Sequence, residues 1–264
     1  MPIITISRGS YFHGKSIAEK LATKLGYSCL SRDQVIENLD QFHLPEIKLV
    51  RGLDNAFSVL DRFPHGNKRF KAAIRSAILQ HFLSGNVIYH GLVGHHFVCN
   101  IPHVLKVRIV ADADKRIADE MARENISEEK ARFILKKDDE ERRKWGMFLY
   151  GIDIMAAENY NLVIRIGHLS EEEAINIIIN AIGLPAFQET TESKADLADS
   201  ALHAFISNKL IDFPNAAVAA KNGQARVTLK VPEEQQQVIH DRISQMLADT
   251  AGMNELSVRF DPYF

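Results

Sequence analysis

The sequence predicts an α/β protein: a doubly wound, five-stranded parallel sheet of the P-loop type, followed by a small α+β unit. Three observations predict it. Short β-rich runs alternate with helix-period patterns through about the first 185 residues, the pattern of a parallel sheet covered on both faces. A glycine-containing turn ending in Gly14-Lys15-Ser16 joins the first strand-like run to an amphipathic segment. Beyond residue 197 the order becomes helix, strand, strand, helix, strand around Asn222-Gly223.

The five strands fall at 3–7, 27–31, 86–89, 104–111 and 161–166. The first helix is read from Ile17, Ala18, Leu21, Ala22 and Leu25 at helical spacing, with Gly26 as its stop. Between the second and third strands lies an insertion-sized stretch with helical patterns at 34–42 and 68–83. Helices follow the fourth strand at 115–124 and 127–148, the second opened by Ser127 with Glu128 and Glu129 in its first turn. Ser170 and Glu173 form a capping-box signature ahead of a helix at 171–182.

Residues 186–197, AFQETTESKADL, are polar without an apolar repeat and read as an exposed linker. Thus 1–185 is expected to be one domain and 198–264 another. The second would carry helices at 201–210 and 234–247 and strands at 216–220, 224–231 and 256–260. Asn-Gly between two such strands is a hairpin signal, because both residues tolerate positive φ.

A chain of 264 residues with 46% hydrophobic content can bury one substantial core and a small second one. Lysine and arginine total 32 against 34 acidic residues, so neither nucleic acid nor an anionic membrane is an expected partner, and phosphate recognition must be local. Cys29 and Cys99 sit in apolar runs away from metal-ligand spacing, as in a reducing compartment. With no basic-then-apolar leader and no membrane-length apolar run, a cytoplasmic location is expected.

Gly9-Ser10-Tyr11-Phe12-His13-Gly14-Lys15-Ser16 satisfies G-x-x-x-x-G-K-[ST] between strand and helix. In such a loop the glycines let successive N–H groups point at phosphate oxygens, and the helix N-terminus adds partial positive charge. ATP is the expected ligand. Lys15 is expected to neutralise the β- and γ-phosphates and Ser16 to coordinate Mg²⁺. His13 is expected to face solvent. His90, His95, His96 and His103 cluster after the third strand, but no carboxylate or cysteine completes a ligand set, so a zinc centre is not the expected reading.

With Ile-Thr-Ile-Ser-Arg before the loop, Tyr27 to Asp33 as second strand and turn, and the run Lys137-Asp138-Asp139-Glu140-Glu141-Arg142 before the last strand, the first domain resembles the cytidylate-kinase-like family. The resemblance implies a nucleoside-monophosphate-kinase fold that passes the γ-phosphoryl of ATP to CMP or dCMP. It implies Gly9 to Ser16 as the donor site, Asp33 beside the acceptor, and 136–144 as a lid. Lys137 and Arg142 are then the lid cations, with Asp139 placed to hold Arg142. Lys137 and Glu140 occupy positions where lids of the family carry arginine, and Gly91-Leu92-Val93-Gly94 lacks the arginine of a Gly-Arg-Gly turn. These departures leave two alternatives: a kinase of another small acceptor, or an ATP-binding regulator with little transfer activity.

The segment from about 198 to 261 resembles a BON module, on Leu202 to Leu210, Val218 to Gly223, Val227-Thr228-Leu229 and Gly252-Met253-Asn254. Residues 198–264 hold 6 lysine plus arginine and 8 aspartate plus glutamate, a balance of −2 that disfavours an anionic membrane. The resemblance therefore implies a regulatory, small-ligand or dimerisation role.

Overall fold

The computed structural model describes residues 2–38, 66–91, 93–213 and 215–262. Part of the helix expected at 34–42, and Leu92 of the glycine turn, lie outside the described residues.

Strand β1 (Ile3–Arg8) leads into helix α1 (Tyr11–Leu25), and β2 (Ser28–Ser31) into α2 (Arg32–Asn38). Helix α3 (Gly66–Leu83) precedes β3 (Val87–His90), and the short α4 (Gly94–Phe97) precedes β4 (Val104–Ala111). Helices α5 (Ala113–Glu124) and α6 (Glu128–Trp145) follow, α6 running into a π-helical turn at Gly146–Tyr150. Strand β5 (Leu162–Ile166) and α7 (Glu171–Ile182) complete this part. The sheet order is β2-β3-β1-β4-β5, and every neighbouring pair is parallel.

Alternation along the strands divides the core into two layers. Ile4, Ile6, Leu105, Val107 and Ile109 face α1 and α7, meeting Ile17, Leu21, Ile175 and Ile178. Ile3, Leu30, Val87 and Tyr89 face the other way, meeting Phe70, Ile74 and Phe82 of α3 and Trp145 of α6. Local signals behave as expected: Gly26 caps α1 at φ 67°, the Ser127 hydroxyl accepts from the Lys130 N–H, and Ser170 and Glu173 form a reciprocal capping box.

The C-terminal part begins with α8 (Thr191–Lys209), then β6 (Ala217–Lys221), β7 (Gln224–Lys230), α9 (Glu233–Leu247) and β8 (Glu255–Asp261). Strands β6 and β7 form an antiparallel hairpin, with Lys221 opposite Gln224. Its turn needs positive φ at both central residues, and Asn222 and Gly223 supply it at 52° and 75°. Strand β8 adds parallel to β7. Leu202, Ile206, Val227, Leu229, Ile243 and Leu247 form this unit's own core.

The linker expectation needs correction. Residues 191–197 are the opening turns of α8, capped by a reciprocal Thr190–Ser193 box. Leu197 is buried with Ala201 and Ala204 in the same cluster as Phe70 and Phe82. One face of α8 thus closes the first core while Leu202 and Ile206 on another face build the second. The apolar repeat was hidden because it starts inside the polar stretch and continues past it. No helix among the described residues is long and apolar enough to cross a membrane.

Candidate active site

In an open parallel sheet the strand carboxyl ends beside the point where chain direction reverses form a crevice. Here β1 lies between β3 and β4, and the chain leaves it in opposite directions. A cavity of about 320 Å³ opens at this position, lined by Arg8 at the end of β1, Ser31 at the end of β2, His90 at the end of β3, Lys15 of α1, and Asp33 of α2. The volume is near the lower end for small-molecule sites. Lys15 and Asp33, expected from sequence on the donor and acceptor sides, therefore share one cavity.

The phosphate segment is more tightly wound than the sequence suggests. Helix α1 begins at Tyr11, with Ser10 as an extended N-cap whose side chain makes no capping hydrogen bond. The N–H groups of Gly9 and Ser10 both donate to the carbonyl of Ile109, at 2.8 and 3.0 Å, and the Gly14 N–H donates to the Ser10 carbonyl. This leaves the first helical N–H groups after Ser10 as the anion-facing end of the helix dipole. Gly9 is required by close approach, since a Cβ there would lie 2.7 Å from Val110 and 2.9 Å from the Ile109 carbonyl.

Coiling this segment sends Lys15 and Ser16 to different sides of α1. Lys15 faces the cavity with a half-exposed side chain, 3.8 Å from the Glu19 carboxylate. Ser16 turns to α7, where its hydroxyl donates to Glu171 at 2.6 Å, and Lys20 reaches the same carboxylate oxygen. His13 does not face solvent: it is 5% exposed, with one ring nitrogen 2.8 Å from Glu171 and the other 2.8 Å from Asp119 of α5. Residues 13, 16 and 20 fall on one helical face, which accounts for the shared partner. Burial works against ionised Glu171, but hydrogen bonds from Lys20, Ser16 and His13 prevail and lower its pKa. Phe12, by contrast, is largely exposed, its ring edge-on to His13.

A divalent cation is part of the chemistry expected for this fold. In this arrangement Ser16 does not fit that role, because its hydroxyl is committed to Glu171 and lies away from the Lys15 cavity. Among the described residues no three His, Cys, Asp or Glu side chains are grouped to hold a metal ion.

The cavity's electrostatics are set by its cations. Burial, followed by the Arg8 and Lys15 charges, lowers His90 to about 4, so the ring is neutral near pH 7. Its Nδ1 is sealed from solvent without a hydrogen-bond partner. Burial, aided by Glu19 and opposed by Lys15, pushes the Cys29 thiol up to about 11; it is no nucleophile. Asp33 is exposed and accepts from Arg32 Nε and Nη2 at 3.0 and 2.8 Å.

The expected lid, 136–144, is part of the continuous helix α6. Arg142 reaches the site, its Nη1 donating to the Arg8 carbonyl at 3.0 Å. Burial and the nearby Arg8 charge lower its pKa, with Asp138 and Asp139 opposing, and a guanidinium remains charged. Lys137 is exposed on α6, and five helical residues turn its side chain by about 140° from that of Arg142. Asp139 does not hold Arg142: its two oxygens accept from Arg116 Nη1 and Nη2 at 2.7 and 2.8 Å. Asp138 lies 3.9 Å from Arg142.

Sequence reasoning missed Arg8 and Glu171 as contributors, and singled out His90 only as one of four clustered histidines, one of them a candidate acceptor contact. Arg8 adjoins the glycine segment and was visible there. Glu171 had only the signal of a first-turn acid.

Of the other clustered histidines, His95 belongs to the framework. His95 is buried against the Tyr160 ring at 4.6 Å, and burial with His96 and Arg108 nearby lowers it to about 3. The Tyr160 hydroxyl donates to the Ile154 carbonyl at 2.7 Å and lies 3.0 Å from Ser7 Oγ, which accepts from the buried Arg108.

This crossover order and crevice define an α/β fold of the P-loop kinase type. A protein of unassigned role from Eubacterium ventriosum superposes with a TM-score of 0.54 at 20% identity, covering 69% of this chain and 97% of that one. Shikimate kinase from Bacteroides thetaiotaomicron gives 0.43 at 12% identity, covering 69% and 99%. Dephospho-CoA kinase from Campylobacter jejuni gives 0.36 at 12%, covering 69% and 97%. No curated protein matches the chain. The model of the cytidylate kinase-like family matches residues 3–168, well over half of the sequence, and the chain belongs to that family.

Proposed function

We propose that this protein transfers the γ-phosphoryl group of ATP to a nucleoside monophosphate, with CMP or dCMP the first candidates. The observation that carries the reading is the single cavity at the ends of β1, β2 and β3 with Lys15 on one wall and Asp33 on another. Family membership supports phosphoryl transfer as the reaction class. Transfer of this kind needs little covalent help from the protein; positioning and charge stabilisation carry it.

In this reading the first turn of α1 and Lys15 hold the donor phosphates, Lys15 as a mobile point charge. Arg142, tethered beside Arg8, supplies a second cation where charge develops. Asp33 accepts hydrogen bonds from the acceptor, and neutral His90 offers a further polar contact. Mg²⁺ would supply additional charge neutralisation on the phosphates, but its ligands are not gathered in this arrangement. The C-terminal unit is read as a BON-like regulatory module.

The test is multiple-turnover ADP formation measured against a panel of nucleoside monophosphates and non-nucleotide acceptors. Acceptor-dependent turnover with CMP or dCMP supports the reading, and turnover only with another acceptor keeps the kinase but replaces its substrate. A second reading, an ATP-binding regulator, draws on Ser16 being held by Glu171. Saturable ATP binding with no acceptor-dependent ADP release would favour it.

A further inference from the structure

A recess of about 620 Å³ lies away from the Lys15 cavity, at the seam between α3, α8 and the segment following α4. Lys68, Lys71 and Arg75 project into it from one face of α3, at i, i+3 and i+7. Ser207 of α8 lies opposite, and His96 and Tyr150 form a further wall. Its lining among the described residues contains no carboxylate. Arg69, the neighbouring cation on α3, is paired with Asp212 at 2.5 Å. Lys68, Lys71 and Arg75 have no acidic partner among the described residues, and Arg75 Nε is sealed without a hydrogen-bond partner. The acids of the adjoining recess, Asp196 and Asp199, are engaged by Lys221 at 3.0 and 3.4 Å.

Three like charges on one helix face repel one another, and burying part of the Arg75 guanidinium adds a desolvation cost. An anion between them would remove both costs. The rest of the wall offers apolar surface: Phe97, Ile101, Ala204 and Ile211 line it beside Tyr150, and Phe97 stands edge-on to the Tyr150 ring at 5.3 Å. The volume suits a molecule of nucleotide size.

We infer that this seam is a second ligand site, taking a small phosphorylated molecule with an aromatic or apolar body. Lys68, Lys71 and Arg75 hold the phosphate, and the body rests on Tyr150. Because Tyr150 ends the turn that continues α6, and Ser207 belongs to α8, the bound molecule touches both the arm carrying Arg142 and the C-terminal unit. Occupancy is therefore read by the chain as a signal between them. The binding inference stands independently of the phosphoryl-transfer reading.

Cys99 reports the seam, since it lines the recess and is exposed. Phenyl phosphate is the probe, titrated calorimetrically into the full chain and into Lys71→Gln, Arg75→Gln and Lys15→Ala. Alkylation of Cys99 by N-ethylmaleimide is followed in parallel by mass spectrometry. The expected result is one site retained in Lys15→Ala, weakened at least tenfold in Lys71→Gln and Arg75→Gln, with Cys99 alkylated several-fold more slowly when the probe is bound. If Arg75→Gln does not fold, Ser207→Trp fills the recess and should abolish the same site. No binding to the unmodified chain, or binding lost only in Lys15→Ala with no slowing of Cys99 alkylation, overturns the inference. ATP titration of Lys15→Ala tests the donor site separately, so the two failures are distinguishable.

Discussion

Arg142 on α6 donates a 3.0 Å hydrogen bond to the carbonyl oxygen of Arg8, the last residue of β1. The bond fixes a guanidinium at the carboxyl edge of the sheet, beside the phosphate segment. A charge-assisted bond of this kind contributes on the order of 1.5–3 kcal/mol. Arg142→Ala should therefore lower stability by about that amount and reduce kcat more than ATP affinity, as for a contact that strengthens in the transition state. Thermal unfolding and steady-state kinetics check this together. Unchanged kcat in a folded variant would remove Arg142 from the proposed machinery.

Lys15 is half-exposed and its contact with Glu19 is long, so it contributes little to the fold. Lys15→Ala should change stability by no more than about 0.5 kcal/mol while abolishing ATP binding measured by calorimetry. Retained ATP affinity would show that the donor phosphates lie elsewhere.

Two of the buried histidines, His90 and His95, make stability strongly pH-dependent. His90 and His95 are lowered from 6.5 to about 4 and about 3, so between those values and 6.5 the unfolded chain binds more protons than the folded one. Stability must then be full above about pH 6.5 and fall as the pH drops, by roughly 1–2 kcal/mol per histidine at pH 5. Thermal melts from pH 8 to 5 should show this slope, and His95→Gln should flatten it. A wild-type midpoint independent of pH would contradict the burial argument.

Sequence patterns captured the sheet because each strand is a short apolar run with turn signals at its ends, and the caps at Gly26, Ser127 and Ser170 depend only on neighbours. What they could not convey was geometry set by tertiary contact. Lys137 and Arg142 look like a pair in sequence, yet helical rotation separates them. Asp139 looks like the partner of Arg142 until Arg116 arrives from α5 and takes both of its oxygens. Ser16 fits a motif, but Glu171, brought in by α7, captures its hydroxyl. Lys15 and Asp33 were legible as residues that share a cavity; the contacts around them, made by distant segments, were not.

The last prediction concerns the stretch that reads as a linker. Leu197 is 4% exposed and belongs to the cluster that includes Phe70 and Phe82 of the first core. It lies in a polar window of the sequence, so a linker reading expects Leu197→Ala to be nearly neutral. Burial predicts instead a loss of about 2–5 kcal/mol, the range for truncating a core leucine. Removing all residues after 185 should be worse, because α8 also supplies Ala201 and Ala204 to that core. The exposed face of α3 would then favour aggregation. Chemical denaturation of Leu197→Ala, and light scattering of a chain ending at Pro185, measure the two effects. A neutral substitution together with a soluble, monomeric truncation that unfolds cooperatively would show that α8 does not close the first core and that the two units are independent.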